Sequence, residues 1–311
     1  MAILFIVPYH YLDSVLWLRY TIQQLRKHGD VVLVTDAGVK TIRTYSDVPQ
    51  IEPDGMGVGR ARDLGIKYGL KHGYDCLIFS DSHMIIPPDI ERLCSYKIAQ
   101  PAVAAVDVKR GKVLRSGEVI GDFLGEYDWY WYYIFQSQTK KDIMSTQPMF
   151  SFSRDVAEAL VSYNNGWFTQ CLYWGKENFD PTLSASRIGV DLDLVDVRVG
   201  HVYKEGSPKG WRKRFVLQNI DKREPWYGKV TPKSPYMFGI TFADAVFALK
   251  HYEDDMHMIQ RGIDPTALKV AKETDWIMKS IKEFNKNARP RHESYERLQS
   301  YLQGASYMKV Q

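Results

Sequence analysis

Asp81 and His83 are separated by one residue and follow the apolar run Cys76-Leu77-Ile78-Phe79. Residues two apart in an extended segment project to the same side. A carboxylate and an imidazole would therefore share one face at the end of a buried strand. One oxygen and one nitrogen donor suit a borderline divalent ion such as manganese better than calcium or magnesium, which prefer all-oxygen shells; magnesium is the alternative to manganese. A divalent ion held there could neutralise the oxygens of a departing diphosphate with no proton transfer. Asp-x-His alone is a short motif with many chance matches, so its weight depends on the elements that present it.

Those elements alternate strand and helix through the first half of the chain, the mark of parallel βαβ units. Residues 2–7 read as an all-apolar strand. Leu18, Ile22 and Leu25 recur at helical spacing, with Asp13 or Ser14 as N-cap and Gly29 just beyond. Residues 31–34 form a second strand ending at Thr35-Asp36, residues 60–72 a helix closed by Gly73, and residues 76–79 a strand running into Asp81. Pro87-Pro88-Asp89 opens a short helix. Ligands of open α/β sheets lie beyond the carboxyl ends of the strands, so Pro8, Tyr9, His10, Asp36 and Asp81 to His83 should border one crevice.

After residue 100 the strands shorten, with a hairpin turn at residues 109–112 and an aromatic run from Tyr127 to Phe135 that packs in a core or stacks on sugar or bases. From about Thr241 the pattern is helical. Asp264-Pro265 reads as an N-cap with proline at N1, and Leu268, Ala271, Ile277, Ile281 and Phe284 form an apolar set. That set suggests docking on the rest of the chain or on another subunit, so a homo-oligomer through these helices is one expectation.

Composition sets the outer limits. The 311 residues are 45% apolar and 25% charged, a globular balance that excludes a disordered chain. A net charge of +4 permits a nucleic-acid partner without indicating one. Residues 2–8 are too few to span a bilayer and lack signal-peptide features. Cys76, Cys94 and Cys171 are odd in number and contain no Cys-x-x-Cys pair, which fits a reducing cytoplasm.

Six segments occur in one order: IVPYHY (6–11), VVLVTDAG (31–38), GVGRARDLG (57–65), FSDSH (79–83), YWGKENFD (173–180) and RVGHVYK (198–204). In order and approximate spacing they resemble the polypeptide N-acetylgalactosaminyltransferases, retaining glycosyltransferases of GT-A fold, over about residues 3 to 227. The resemblance implies an α/β, Rossmann-like mixed sheet with a helical C-terminal extension. It divides the chain into a catalytic domain at 1–238 and a helical region at 239–311. Within the catalytic domain, 1–100 is the nucleotide-binding half and 101–238 the sugar and acceptor half, with a mobile loop at about 202–215.

Residue by residue, the resemblance makes His201 the third metal ligand beside Asp81 and His83. It places Asp36 at the nucleotide base, Arg62 or Arg60 near nucleotide and phosphates, Ser82 near the ribose, and Pro8, Tyr9, His10 and Gly57 along the donor. Lys204 stands where the family has an arginine that meets the diphosphate, and lacks the bidentate fork of a guanidinium. Phe150 and Ser151 occupy a neighbourhood where the family has two glycines beside the sugar, which alters the pocket and points away from N-acetylgalactosamine as donor. No segment matches the family's membrane anchor or lectin domain, which places the chain outside a secretory mucin pathway.

Glu177 and Asn178 bear on stereochemistry. Inverting enzymes of this fold usually place an acidic base second in such a pair; Asn178 cannot take a proton, which favours retention. Glu177 would orient acceptor or sugar hydroxyls, or cap a helix over 179–188, and Trp174 would form an apolar wall. Between His201 and Lys233 there are nine Lys or Arg against three acidic residues. Lys209, Trp211, Arg212, Lys213 and Arg214 read as a cationic lid over the diphosphate, as a guide for a polyanionic acceptor, or as a solvated face. The function that follows is a cytoplasmic, manganese-dependent, retaining transfer from a UDP-sugar to a glycan, a protein or a hydroxymethylated DNA base. The alternatives are a sugar-phosphate nucleotidyltransferase, which normally opens with a glycine-rich loop where this chain has Pro8-Tyr9-His10, and a non-catalytic sugar or nucleic-acid binding module.

Overall fold

The computed structural model describes residues 1–9, 15–35, 45, 47–52, 57–107, 112–113, 119–120, 133–136, 142–145, 149–172, 176–203, 235–251, 256 and 263–291. The first half runs β1 (Ile3–Tyr9), α1 (Val15–Leu25), β2 (Asp30–Thr35), β3 (Gln50–Ile51), α2 (Val58–His72), β4 (Cys76–Ser80), β5 (Met84–Ile85), a 3-10 helix at Ile90–Ser95 and β6 (Ile98–Asp107). Short strands β7 (Lys112–Val113) and β8 (Val119–Ile120) pair with each other, as do β9 (Tyr133–Gln136) and β10 (Asp142–Ser145). There follow β11 (Met149–Ser153), α3 (Arg154–Tyr163), α4 (Phe179–Arg187), β12 (Asp193–Tyr203), α5 (Pro235–His251), α6 (Pro265–Lys272) and α7 (Asp275–Asn287).

Eight strands form one mixed sheet in the order β3-β2-β1-β4-β11-β6-β12-β5. β1 pairs in parallel with β2 and β4, β2 with β3, and β6 with β12. β11 is antiparallel to both its neighbours and β5 to β12. This is the expected α/β class, a Rossmann-like mixed sheet with a helical C-terminal region. Because β1, β2 and β4 are parallel, their carboxyl ends share one edge.

Period-two alternation builds the layers. Phe5, Val7 and Tyr9 of β1 join Leu18, Ile22 and Leu25 of α1, whereas Leu4 and Ile6 join Ala61 and Ile66 of α2 on the other face. β4 follows suit, with Ile78 on the α1 side and Leu77 and Phe79 on the α2 side. β11 likewise splits Phe150 from Ser151. Ser151 Oγ donates to the Leu93 carbonyl at 3.1 Å in the 3-10 helix, while Phe150 packs on Phe79 with centroids 4.9 Å apart. The two residues expected to share one neighbourhood of the sugar therefore face opposite layers.

Several local readings hold. Gly73 closes α2 in the left-handed region at φ 81°, and Asp264 caps α6 by accepting from the Thr266 and Ala267 amides at 2.8 and 3.2 Å, with Pro265 at N1. Others change. Helix α5 begins at Pro235 rather than near Thr241; its Phe242, Val246 and Phe247 share a core with Phe179 and Leu183 of α4 and with Leu268, Ile277 and Ile281. Cys76 and Cys94 form a disulfide with Cα atoms 5.6 Å apart, and Cys171 is a buried free thiol. Sequence distance hid that pair, because the first residue of β4 and the 3-10 helix meet only after the chain folds back through β5. Among the described residues no helix is long and apolar enough to cross a membrane. Of the hairpin turn expected at 109–112, residues 109–111 lie outside the described residues and Lys112 opens β7; most of the aromatic run 127–135 also lies outside them.

Candidate metal centre

β4 delivers Asp81 one residue past its carboxyl end, and the chain then turns into β5, which runs antiparallel to β12. The register sets Met84 opposite His201, and the Val202 amide donates to the His83 carbonyl at 3.1 Å. Strand pairing thus carries His201 to His83 across a separation of 118 residues.

The Nε2 atoms of His83 and His201 stand 3.1 Å apart, and His201 Nε2 lies 3.5 Å from Asp81 Oδ2. All three donors fall within 4.8 Å of one another. Donors bound at about 2.1 Å to one ion are about 3.0 Å apart at right angles and about 3.4 Å apart at a tetrahedral angle. One spacing falls within that range and the other within about 0.1 Å of it, so the residues fit a divalent cation. The side chains of Asp81 and His201 are 30% and 28% exposed, leaving a path for the ion and its remaining ligands. Burial pushes the Asp81 carboxyl upward, but the His201 hydrogen bond and the charges of His83, His201 and Arg62 outweigh it and hold it below the usual carboxylate range. It is thus ready as an anionic ligand. Ser82 is buried with Oγ 3.2 Å from His83 Nδ1. With Nε2 turned to a metal, Nδ1–H donates to that hydroxyl and fixes the ring.

The other predicted residues divide. Pro8 and Tyr9 end β1 beside Val34 and Thr35, but the Tyr9 ring is buried in the α1-side core. Gly57 precedes α2 at φ 120°, a conformation that favours glycine. Arg60, in the first turn, is partly exposed and its amide donates to the Leu172 carbonyl at 3.0 Å. Arg62 is buried against the adjacent rings of Phe79 and Phe150, its Nη1 3.9 Å from Glu177 Oε1. Glu177 does not cap α4. The N-cap is Asn178, whose side chain makes no capping hydrogen bond. His10, Asp36, Trp174, Lys204, Lys209, Trp211, Arg212, Lys213 and Arg214 lie outside the described residues.

The segment bearing Glu177 is clamped from both sides. A Cβ at Gly59 would stand 2.0 Å from the Cys171 carbonyl oxygen and 3.0 Å from Glu177 Cβ, so α2 approaches this segment as only glycine allows. Gly59→Ala should cost about 1–3 kcal/mol by overpacking and displace Glu177; urea unfolding checks the first part, and unchanged stability would refute the close approach. On the far side, Lys176 Nζ pairs with Asp244 of α5 at 3.3 Å, and the Asp180 carboxylate accepts from Lys250 Nζ and His251 Nε2, each at 2.8 Å, and from Thr169 Oγ1 at 2.7 Å. Lys250 also donates to Gln170 Oε1 at 2.9 Å. Sequence reasoning missed this cluster. Its signal was the adjacent Lys250 and His251 closing a largely apolar helix.

No known protein-family profile matches the chain, and no curated protein resembles it. Solved structures give distant likenesses. An inositol-1-phosphate CTP transferase from T. maritima is 13% identical at a TM-score of 0.39, covering 72% of this chain and 97% of its own. A CMP:2-keto-3-deoxy-manno-octonic acid synthetase complexed with CTP is 15% identical at 0.39, covering 70% and 98%. A proposed nucleotide-diphospho-sugar transferase from Desulfovibrio desulfuricans G20 is 12% identical at 0.37, covering 68% and 91%. Likenesses this remote establish no function for the chain.

Proposed function

We propose that the chain is a metal-dependent transferase of nucleotide-activated sugars, and that its reaction is retaining transfer from a UDP-sugar to a hydroxyl acceptor. The convergence of Asp81, His83 and His201 at the carboxyl edge of a mixed sheet carries this reading. Asp81 Oδ2 and the Nε2 atoms of both histidines would hold manganese or magnesium, which when bound supplies positive charge to a leaving diphosphate. The partly exposed Arg60 is the cation on α2 able to meet phosphate. Asn178 follows Glu177 and cannot act as a base, so an inverting mechanism lacks its usual proton acceptor there. Asp36, Lys204 and the basic segment at Lys209 to Arg214 complete the proposal as base, diphosphate and acceptor contacts.

Nucleotidyl transfer to a sugar phosphate is the second reading, and Pro8-Tyr9-His10 in place of a glycine-rich loop weighs against it. A thermal-shift screen of UDP, UDP-sugars, CTP and dTTP, with and without manganese, separates the two. A ligand at a hundredfold its Kd adds about 2.7 kcal/mol, a shift of several degrees. Stabilisation by UDP-sugars that requires manganese, followed by release of UDP, supports the proposal. Pyrophosphate release from a nucleoside triphosphate and a sugar phosphate would replace it. Hydroxymethylated DNA is the acceptor to try first because of the basic segment; nucleoside mass spectrometry reads the product.

A further inference from the structure

Thr21 interrupts the apolar stripe of α1. It stands at helical spacing from Leu18 and Leu25, next to Ile22, and is wholly buried. Its Oγ1 donates to the Met84 carbonyl at 3.0 Å and accepts from the Met84 amide, also at 3.0 Å. A hydroxyl can do both at once, because it carries one proton and two lone pairs.

Met84 follows His83 directly, and the strand pairing explains why it needs such a partner. Among the described residues β5 ends the sheet order, with β12 on one side. Facing residues of an antiparallel ladder alternate between pairs that exchange both hydrogen bonds and pairs that exchange none. The Val202 amide donates to the His83 carbonyl at 3.1 Å, so His83 belongs to the bonded register. Met84, opposite His201, belongs to the other. The Met84 amide and carbonyl therefore point away from β12 and towards α1. Buried backbone groups need partners, and Thr21 supplies both in place of a further strand.

The peptide unit made of the His83 carbonyl and the Met84 amide is thus held at both ends, at oxygen by β12 and at nitrogen by α1. That unit is planar, so two fixed ends set its plane and with it the backbone that aims the His83 side chain. β12 also carries His201, whose Nε2 is 3.1 Å from that of His83.

We infer that Thr21 is a positioning residue for the metal centre: its hydroxyl grips the outer edge of β5 and holds His83 at ligand spacing from His201. This rests on the metal-centre reading above. The hydroxyl acts through the backbone of Met84 alone.

Manganese binding to the full chain tests this, with free ion followed by electron paramagnetic resonance at a temperature where circular dichroism shows each variant folded. Thr21→Val keeps the side chain's shape and removes the hydroxyl. It should weaken binding at least about fivefold, near the lower end of the loss usual when a group that orients a metal ligand is removed. Thr21→Ser keeps the hydroxyl and should bind within about twofold of the parent, since the group that orients the ligand is retained. Ser280→Ala controls for stability, because Ser280 is also buried and its Oγ also has one donor and one acceptor partner, the Gln170 side-chain amide at 2.9 Å and the Asn164 carbonyl. A general loosening of the fold would lower affinity in that variant as well, whereas positioning by Thr21 leaves it within about twofold of the parent. Where the valine variant does not fold, Thr21→Cys takes its place at the same threshold, being of similar size with a weakly bonding thiol. A smaller loss, a serine variant that does not recover, or a larger change in Ser280→Ala overturns the inference. Asp81→Asn separates the two readings. Binding unchanged in that variant overturns the metal centre and this inference together, while a loss there with none in Thr21→Val overturns the inference alone.

Discussion

Asp180→Asn should lower the unfolding free energy by about 3–5 kcal/mol, the range for breaking one member of a buried ion pair. Asp180, Lys250 and His251 are all fully or almost fully inaccessible to water. Removing the carboxylate charge strands the Lys250 ammonium, whose remaining acceptor is Gln170. The effect reaches beyond stability because Asp180 anchors α4 to α5 three residues after Glu177. Urea unfolding measures it, and a loss below about 1 kcal/mol would show that the cluster is not a closed ion pair.

The same cluster makes the protein acid-sensitive. Burial pushes the His251 imidazole down to about 3, against the opposing pull of Asp180, so the folded protein keeps it neutral. Between an unfolded value near 6.5 and about 3, the unfolded chain binds a proton that the folded chain refuses. Stability from this residue is therefore complete above pH 6.5 and is lost as pH falls through that window, by roughly 3–5 kcal/mol at most. Asp180, held well below the carboxylate range by Lys250 and His251 although burial opposes them, loses its contribution in the same direction at still lower pH. His251→Gln should flatten the fall in urea midpoint between pH 7 and 4.5. An undiminished slope would assign the sensitivity elsewhere.

The second large effect is expected at the metal centre. His201→Ala should weaken manganese binding at least a hundredfold and reduce any manganese-dependent transfer by a comparable factor, while unfolding stability changes by less than about 1 kcal/mol, since the side chain is at the rim. Of the three candidate donors among the described residues, this would leave Asp81 and His83, too few to hold a labile divalent ion. Isothermal titration with manganese reads the affinity directly. Binding that survives His201→Ala would show that the three residues are neighbours without being a site.

Part of this was open to inspection in the sequence because the physics is local. The continuous apolar runs of β1 and β4 marked both as buried strands, and the two-residue period of a strand then divides their residues between two layers. Gly73 and the Asp264-Pro265 pair are local backbone chemistry and stopped or started their helices where they stand. Asp81 and His83 share a face because they are two apart.

What the local rules could not supply is proximity between distant segments. His201 was reached only through a resemblance; its approach to His83 is decided by the pairing of β5 with β12. The Cys76–Cys94 disulfide, the Asp180–Lys250–His251 cluster and the burial of Arg62 against Phe150 each depend on which strand lies beside β4 and which helix covers α4. A charged residue has no preference in sequence for being buried. Only the fold, by bringing a counter-charge to it, makes burial affordable, and that is why Arg62 and Arg60, two residues apart on one helix, have different surroundings.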